Sequence, residues 1–361
     1  MFSKSELKRY NRHIILPEIG LEGQDKLKSA KVLVVGAGGL GCPALQYIAA
    51  AGVGTIGVCD FDFVDESNLQ RQILFDTNDI GKSKAKIAAE KLSKQNQFVK
   101  INTHNVKLDK ENVLEIFSDY DIIVDGSDNF PTRFLVSDAC VILGKPLVFG
   151  AIYKFEGQLS VFNYKNGPTY RCLVPEEPES SEILSCSQIG VIGVLPGIIG
   201  SYQANEVIKI ITGIGEIMSG KILLLDTLNM THNIIEIKRK ENLANLSNLG
   251  EYGDFCGNNY SNVKQITSAE LKQMLDNKKD VLIVDIRESE AFNQYHIKSV
   301  NISIDKLLNN ADNLPIDKPV ILICENGNNS MAVIENFEKL YDFKNLFNLK
   351  DGIQSWLKNN Y

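Results

Sequence analysis

The stretch KVLVVGAGGLG, residues 31–41, restricts the fold more than any other part of the chain. Its opening run, Lys31 to Val35, is valine-rich and too short for a helix, so it reads as a buried strand. The glycines that follow end the strand, and Cys42–Ala51 then carries the apolar spacing of a helix. TIGVCDFD, residues 55–62, is the next strand. A strand, a glycine turn, a helix and a second strand make one strand–helix–strand unit, whose strands must run parallel.

The alternation continues downstream. Helices are expected near 82–95, 110–117 and 131–143, with strands at 98–104, 121–126 and 146–153. This order predicts a mostly parallel sheet covered by helices. GQLSVFNY (157–164) and KILLLDTLNMTHNIIEIKRK (221–240) read as antiparallel additions, with an apolar helical segment at 191–212 between them. Residues 239–264 are polar, rich in Asn and Gly, and weakly periodic, which marks a linker. Beyond it, helices at 268–275, 330–341 and 352–358 and strands at 281–286, 300–303 and 320–324 form a second α/β pattern. At 361 residues the chain can bury two cores. The expected organisation is a Rossmann-like domain over 1–240, a linker over 241–264 and a smaller α/β domain over 265–361.

The formal net charge is -7 with no long basic run, which argues against nucleic-acid binding. MFSKSELKRYNRH is polar and charged where a signal peptide would be apolar, and Pro196 interrupts the apolar run GVIGVLPGIIGSY. These features predict a cytoplasmic protein without a membrane partner. The seven cysteines are scattered, which argues against a disulfide framework. Cys42, Cys59 and Cys140 lie in apolar segments and read as core.

Gly36, Gly38 and Gly41, with Gly39 between them, fit the G-x-G-x-x-G pattern. Such a turn lets backbone amides and a helix N-terminus meet phosphate oxygens. The same glycines would also serve tight helix–sheet packing without a ligand. Asp60, ending the second strand, favours the nucleotide reading because an acid there can accept from ribose hydroxyls. Which nucleotide stays open at this level. None of the histidines (His13, His104, His232, His296) has an obvious catalytic context for a dehydrogenase. Asn68, Arg71 and Lys84 follow the second strand, where the arginine and lysine could neutralise a polyphosphate, and Asp128, beside Asn129, is placed to hold Mg²⁺.

A second candidate site is VILICENGNNSMAV, 320–333. Cys324 is either an end-of-strand core thiol or a nucleophile in an anion-holding loop. Gly327 and Ser330, read as a helix N-cap, would give a tight turn with inward amides that favour a sulfur anion. Glu325 opposes capture of a free anion. Asp285 and Arg287 read as a structural charge pair.

RYNRHIIL (9–16), VLVVGAGGLGCPALQYIAAAGVG (32–54), DFDFVDESNLQRQILF (60–75), GKSKA (81–85), DGSDNFPTR (125–133) and GQLSVF (157–162) together resemble the ubiquitin-activating-type adenylyltransferases. Within that group they are most similar to the bacterial molybdopterin-synthase and thiazole-biosynthesis enzymes. The resemblance covers residues 5–240 and implies ATP as the nucleotide. It implies as substrate the C-terminal glycine of a ubiquitin-like sulfur-carrier protein, which attacks the α-phosphate to give an acyl-adenylate. By the same resemblance Gly39 lies against the phosphates, Asp60 holds the ribose, and Asn68, Arg71 and Lys84 contact phosphates. Asp128 would hold Mg²⁺, and Arg12 would reach into a neighbouring subunit's site, which implies a homodimer. A buried arginine on an amphipathic N-terminal helix is the alternative for Arg12.

Members of this family often carry zinc on two C-x-x-C pairs. Here these positions read Thr169-Tyr-Arg-Cys172 and Gly253-Asp-Phe-Cys256, and two thiolates make a poor tetrahedral site, so zinc is not expected. Cys186 occupies a position where the family can form a covalent carrier intermediate. A loop thiol without a role is the alternative there.

VLIVDIRESEAFNQYHIKSVNISI (281–304) and LFNLKDGIQSWLKN (346–359), flanking the Cys324 loop, resemble a rhodanese homology domain, with Asp351 in place of that family's first glycine. The combination implies adenylylation followed by attack of a Cys324 persulfide. The persulfide would be loaded by a donor such as a cysteine desulfurase, and Cys186 could act as the resolving thiol. Two rival readings remain at this level: an NAD-dependent oxidoreductase with a sulfur-binding module, and a non-catalytic scaffold for the carrier.

Overall fold

A computed structural model describes residues 2–176, 190–252, 263–309, 314–341 and 343–360. The chain divides into two compact units, Met1–Gly253 and Asp254–Tyr361. Cys186 and Cys256 lie outside the described residues.

The first unit is built on an eight-stranded sheet in the order β3-β2-β1-β4-β5-β6-β7-β8. β1 (Lys31–Val35), β2 (Thr55–Cys59), β3 (Lys100–His104), β4 (Ile122–Asp125) and β5 (Leu147–Tyr153) are parallel. β6 (Glu156–Phe162), β7 (Lys221–Asp226) and β8 (Thr231–Glu236) extend it antiparallel. The apolar runs of the central strands follow from burial on both faces. In β1, Val32 and Val34 face one core while Leu33 and Val35 face the other. In β4, Ile122 and Val124 divide from Ile123 in the same way. β8 closes the sheet as an exposed edge.

Helices Gly41–Ala51, Lys84–Gln95, Phe130–Ile142 and Val194–Thr212 lie close to the expected positions. The longest, Val194–Thr212, holds the sheet near its carboxyl edge. Its buried Gln203 donates from Nε2 to the carbonyl of Asp125 at 2.7 Å. Gly150 on β5 makes room for this side chain, since a Cβ there would lie 2.7 Å from Gln203 Cδ.

The expected linker starts too early. Glu241–Ala244 is a short helix with Ala244 buried, and Leu249 and Tyr252 pack against the first core. Apolar residues spaced among the asparagines give this segment a surface to bury.

The second unit is a five-stranded parallel sheet in the order β11-β10-β12-β13-β9. Its strands are β9 (Gln265–Ile266), β10 (Leu282–Asp285), β11 (Val300–Asn301), β12 (Val320–Ile323) and β13 (Leu346–Leu349). Central β12 is buried on both faces, with Val320 and Leu322 in one core and Ile321 and Ile323 in the other. Among the described residues no helix is long and apolar enough to cross a membrane.

Gly150→Ala should force Gln203 off the carbonyls of Asp125 and Val148, which its Nε2 reaches at 2.7 and 3.3 Å, and lower stability by about 1–3 kcal/mol. Thermal or urea unfolding of the intact chain measures this, and an unchanged midpoint would show that the site can relax without cost.

Candidate active sites

The order β3-β2-β1-β4 reverses direction between β1 and β4, and open α/β sheets bind ligands at such a crevice. Two turns meet there. Gly36 has φ +85°, and a Cβ on it would sit 2.8 Å from the carbonyl oxygen of Gly126, which follows β4. A Cβ on Gly41 would fall 1.8 Å from Gly36 O, so only glycine closes this loop. Gly38 differs: a Cβ there would meet only the tip of Gln72, at 3.8 Å, so this backbone borders open space. Gly39, expected against phosphates, lies beside Pro196 and the stem of Arg71, 3.1 and 3.5 Å from a would-be Cβ.

The candidate charged groups gather around this loop. Asp60 Oδ2 accepts from the Ala37 amide at 2.7 Å and Oδ1 from the Asp62 amide at 2.8 Å. Burial pushes the Asp60 carboxyl above its ordinary range, an effect partly offset by the nearby Lys84 cation and those two amides. Lys84, itself buried, pairs with Asp62 at 3.1 Å. Asn68 ends the short 3-10 helix Glu66–Asn68, and Arg71 donates to the Ser67 carbonyl at 3.1 Å. Gln72 is only 4% exposed, and its Oε1 has no hydrogen-bond partner.

Beyond β4, Asp125 is fully buried and accepts from the Ser127 amide and hydroxyl at 2.9 and 2.6 Å. Asp128 is exposed at the lip of this turn. Asn129 caps the helix Phe130–Ile142, accepting from the Thr132 amide at 3.0 Å. Arg12 is exposed on the short helix Asn11–Ile14, which rules out the buried-arginine alternative. Burial pushes the Cys42 and Cys59 thiols up to about 12 and Cys140 up as well, as befits inert core thiols.

In the second unit Cys324 follows β12 directly and is 2% exposed. Its Sγ accepts from the Gly327 amide at 3.1 Å and the Ser330 amide at 3.4 Å, and lies 3.2 Å from Ser330 Oγ. The helix begins at Asn328, so Ser330 stands in its first turn rather than at the cap. From there both its amide and its hydroxyl reach the sulfur. Gly327, at φ +89°, supplies the turn. The N-terminus of helix Gly352–Asn360 supports the loop from the other side, with Ile353 N donating to Cys324 O at 2.9 Å. Asp351 adopts φ +58°, a conformation that Asp tolerates better than most side chains, which explains its place before Gly352.

Glu325 is not a loose charge. Its carboxylate accepts from Arg287 Nη1 at 3.2 Å and Tyr295 Oη at 2.8 Å, and also from Gln354. Burial would raise its pKa, but donors from Gln354, Tyr295 and Arg287 outweigh that and hold it below the ordinary value. Arg287 is committed in turn to Asp285, through contacts of 3.0 and 2.9 Å, as the charge-pair reading expects. Tyr295, Gln354 and Asn348, the last a polar residue inside the run LFNL, went unread in the sequence.

Of the two C-x-x-C positions, the structure describes the first, residues 169–172. Cys172 Sγ accepts from the backbone amides of Thr169 and Lys240 at 3.4 and 3.3 Å. Beside it Arg171 makes a two-point contact with Asp138, at 2.8 and 2.7 Å, and Tyr252 donates to the same carboxylate at 2.8 Å. Burial and the Asp138 carboxylate push the Tyr252 phenol up, keeping it protonated as the donor. Among the described residues no group of three or more His, Cys, Asp or Glu side chains could hold a metal ion.

The ThiF family model matches residues 10–246, and a rhodanese-like domain model matches residues 267–359. The chain is 40% identical to the probable adenylyltransferase/sulfurtransferase MoeZ of Mycobacterium tuberculosis, over 99% of this chain and 94% of that protein. It is 38% identical to the adenylyltransferase and sulfurtransferase MOCS3 of Xenopus laevis, over 98% and 87% of the two chains. The sulfur carrier protein adenylyltransferase of Thermus thermophilus is 48% identical over 71% of this chain and 98% of its own length. Among solved structures, E. coli MccB with ATP superposes with a TM-score of 0.55 at 24% identity, covering 61% of this chain and 66% of that one. That likeness is one of fold.

Asp138→Ala should strand a half-buried Arg171 and release Tyr252, lowering stability by about 2–3 kcal/mol. Chemical denaturation measures the loss, and a change within about 0.5 kcal/mol would show that the cluster is only a surface pair.

Proposed function

The chain belongs to the ThiF family, and from that premise we propose an enzyme that adenylates the C-terminal glycine of a ubiquitin-like sulfur-carrier protein and then delivers sulfur to it. One observation carries the sulfur half of this reading: Cys324 directly follows a buried strand with two backbone amides donating to its sulfur and the Ser330 hydroxyl beside it. A core thiol needs none of them. Such donors favour a thiolate or persulfide anion, and so enclosed a sulfur suits transfer of one atom better than a bulky adduct.

ATP suits the crevice between β1 and β4, where Gly38 leaves the room that a Cβ would fill. Asp60 would hold the ribose while keeping the loop amide of Ala37 in place. Arg71 and Lys84 would neutralise the phosphates, which Asn68 would also contact, Asn129 would stand at the same lip, and Arg12 would complete the site of a second copy in a homodimer. Magnesium, which takes few protein ligands and shares phosphate oxygens, would be held by Asp128 and would stabilise the departing pyrophosphate. The carrier carboxylate attacks the α-phosphorus, the bond to pyrophosphate breaks, and an acyl-adenylate remains.

The terminal sulfur of a Cys324 persulfide then attacks the acyl carbon and expels AMP. A second thiol, for which Cys186 is the candidate, attacks Cys324 Sγ in the acyl disulfide and frees the thiocarboxylate. Delivery by a protein persulfide donor such as a cysteine desulfurase fits the loop better than free thiosulfate. Glu325 is ionised beside Cys324, and Arg287 is already engaged by Asp285 and Glu325. Zinc has no part in this scheme, since two thiolates without two further ligands make a poor tetrahedral site.

Cys324→Ala should leave carrier-dependent ATP–pyrophosphate exchange intact and abolish thiocarboxylate, read by mass spectrometry of the carrier. Exchange that falls along with it would break this division of labour. Asp128→Ala should cut exchange by about 100-fold or more, and a near-normal rate would remove Asp128 from the metal site. Prolonged treatment with a zinc chelator should leave the unfolding midpoint where it was.

A further inference from the structure

Asn348, on β13, is fully buried, and its Nδ2 lacks a hydrogen-bond partner. Its Oδ1 lies 2.6 Å from Ser330 Oγ, which also stands 3.2 Å from Cys324 Sγ and 3.2 Å from the Gly327 carbonyl. A serine hydroxyl has one proton to give. With Oδ1 facing it, three acceptors compete for that proton, and the shortest contact belongs to the amide. Cys324 then loses the hydroxyl, and the Asn348 NH₂ stays buried with no acceptor. Half a turn of the amide about χ2 reverses both effects. Nδ2 donates to Ser330 Oγ, and the hydroxyl is left to the sulfur and to the Gly327 carbonyl, of which the carbonyl already accepts from the Met331 amide at 3.2 Å. The unmet group becomes a carbonyl oxygen, which proteins leave unpaired more often than an N–H.

We propose that Asn348 is a positioning residue that aims the Ser330 hydroxyl at Cys324, so that the sulfur anion gains a third donor. The proposal rests on the reading of Cys324 as the sulfur-carrying nucleophile. Asn348 touches no reacting atom, and its whole effect passes through Ser330. Ser330 is itself buried without exposure, so no solvent molecule competes for its lone pairs from an open face. The relay therefore predicts a particular non-additivity rather than a simple loss.

The test uses the full chain under reducing conditions. Iodoacetamide labels the thiols across a pH series, and mass spectrometry follows the peptide carrying Cys324. Ser330→Ala should slow alkylation at pH 7 by roughly three- to tenfold and move the profile to higher pH. Asn348→Asp preserves size and the acceptor oxygen but removes the donor, and should slow alkylation at least as much. Adding Ser330→Ala to Asn348→Asp should then cost nothing further. A further loss on that addition, or an Asn348→Asp profile like the wild type, overturns the proposal. Should Asn348→Asp fail to fold, nitrogen-15 spectra of the wild-type chain decide. One Asn348 Nδ2 proton shifted downfield and displaced by Ser330→Ala supports the relay, and amide protons indifferent to Ser330→Ala overturn it. Neither readout uses sulfur transfer, so the proposal and the functional reading fail separately.

Discussion

At the carboxyl ends of β1 and β4 two glycine turns pass in backbone contact, and the arrangement of the first unit is organised around that approach. Gly126 N donates to Val35 O at 2.8 Å, while Gly36 has no room for a Cβ against Gly126 O. The contact fixes the glycine loop on one side and the Asp125–Asp128 turn on the other, so a ligand held by the first meets the second. Other elements brace the same point. Gln203 ties Asp125 to the helix Val194–Thr212, Pro196 of that helix covers Gly39, and Asp60 holds the loop through Ala37. The groups that would bind a nucleotide also keep the crevice in shape. Asp60 in particular is held partly desolvated, with loop amides already satisfying its oxygens.

The second unit solves a related problem with other means. A buried parallel strand again delivers its last residue to a turn that opens a helix, yet the positive side chains are spent elsewhere. Arg287 is divided between Asp285 and Glu325, and Glu325 between Arg287, Tyr295 and Gln354. What faces the sulfur is backbone amide and hydroxyl, with the Asn326 amide oxygen 4.0 Å away. The Glu325 network thus fixes the residue after Cys324 to β10 and to the C-terminal helix, which limits how far the loop can open.

Much of this was legible from spacing because the central strands are buried on both faces and leave continuous apolar runs between glycine turns. Gly36, Gly41 and Gly327 could be read because backbone geometry there tolerates no side chain. Long-range pairings could not. Pro196 over Gly39, Gln203 under Asp125, and Tyr252 on Asp138 each join residues distant in sequence, and nothing local marks them. Ser330 was misplaced by the same limit. A serine after asparagines looks like a cap, whereas tertiary contact starts the helix at Asn328. Glu325 read as a repelling charge because its three partners lie on other elements. Asn348 gave a signal that went unused: an asparagine inside a short apolar strand must have a buried reason.

The choice of neutral donors around Cys324 bears on reactivity as well as on charge. A full cation beside a sulfur anion would hold it more firmly, but nucleophilicity falls as the anion is stabilised. On the proposed reading, amide and hydroxyl donors would stabilise a sulfur anion less than a cation would and so leave it more nucleophilic toward an acyl carbon. They also give no extra grip to a small free anion, since the adjacent carboxylate remains ionised. An activated carrier needs the opposite of a general anion trap. On the proposed reading the sulfur needs donors without a trap for free anions, and a loop of small residues with its arginine turned to Glu325 has both features.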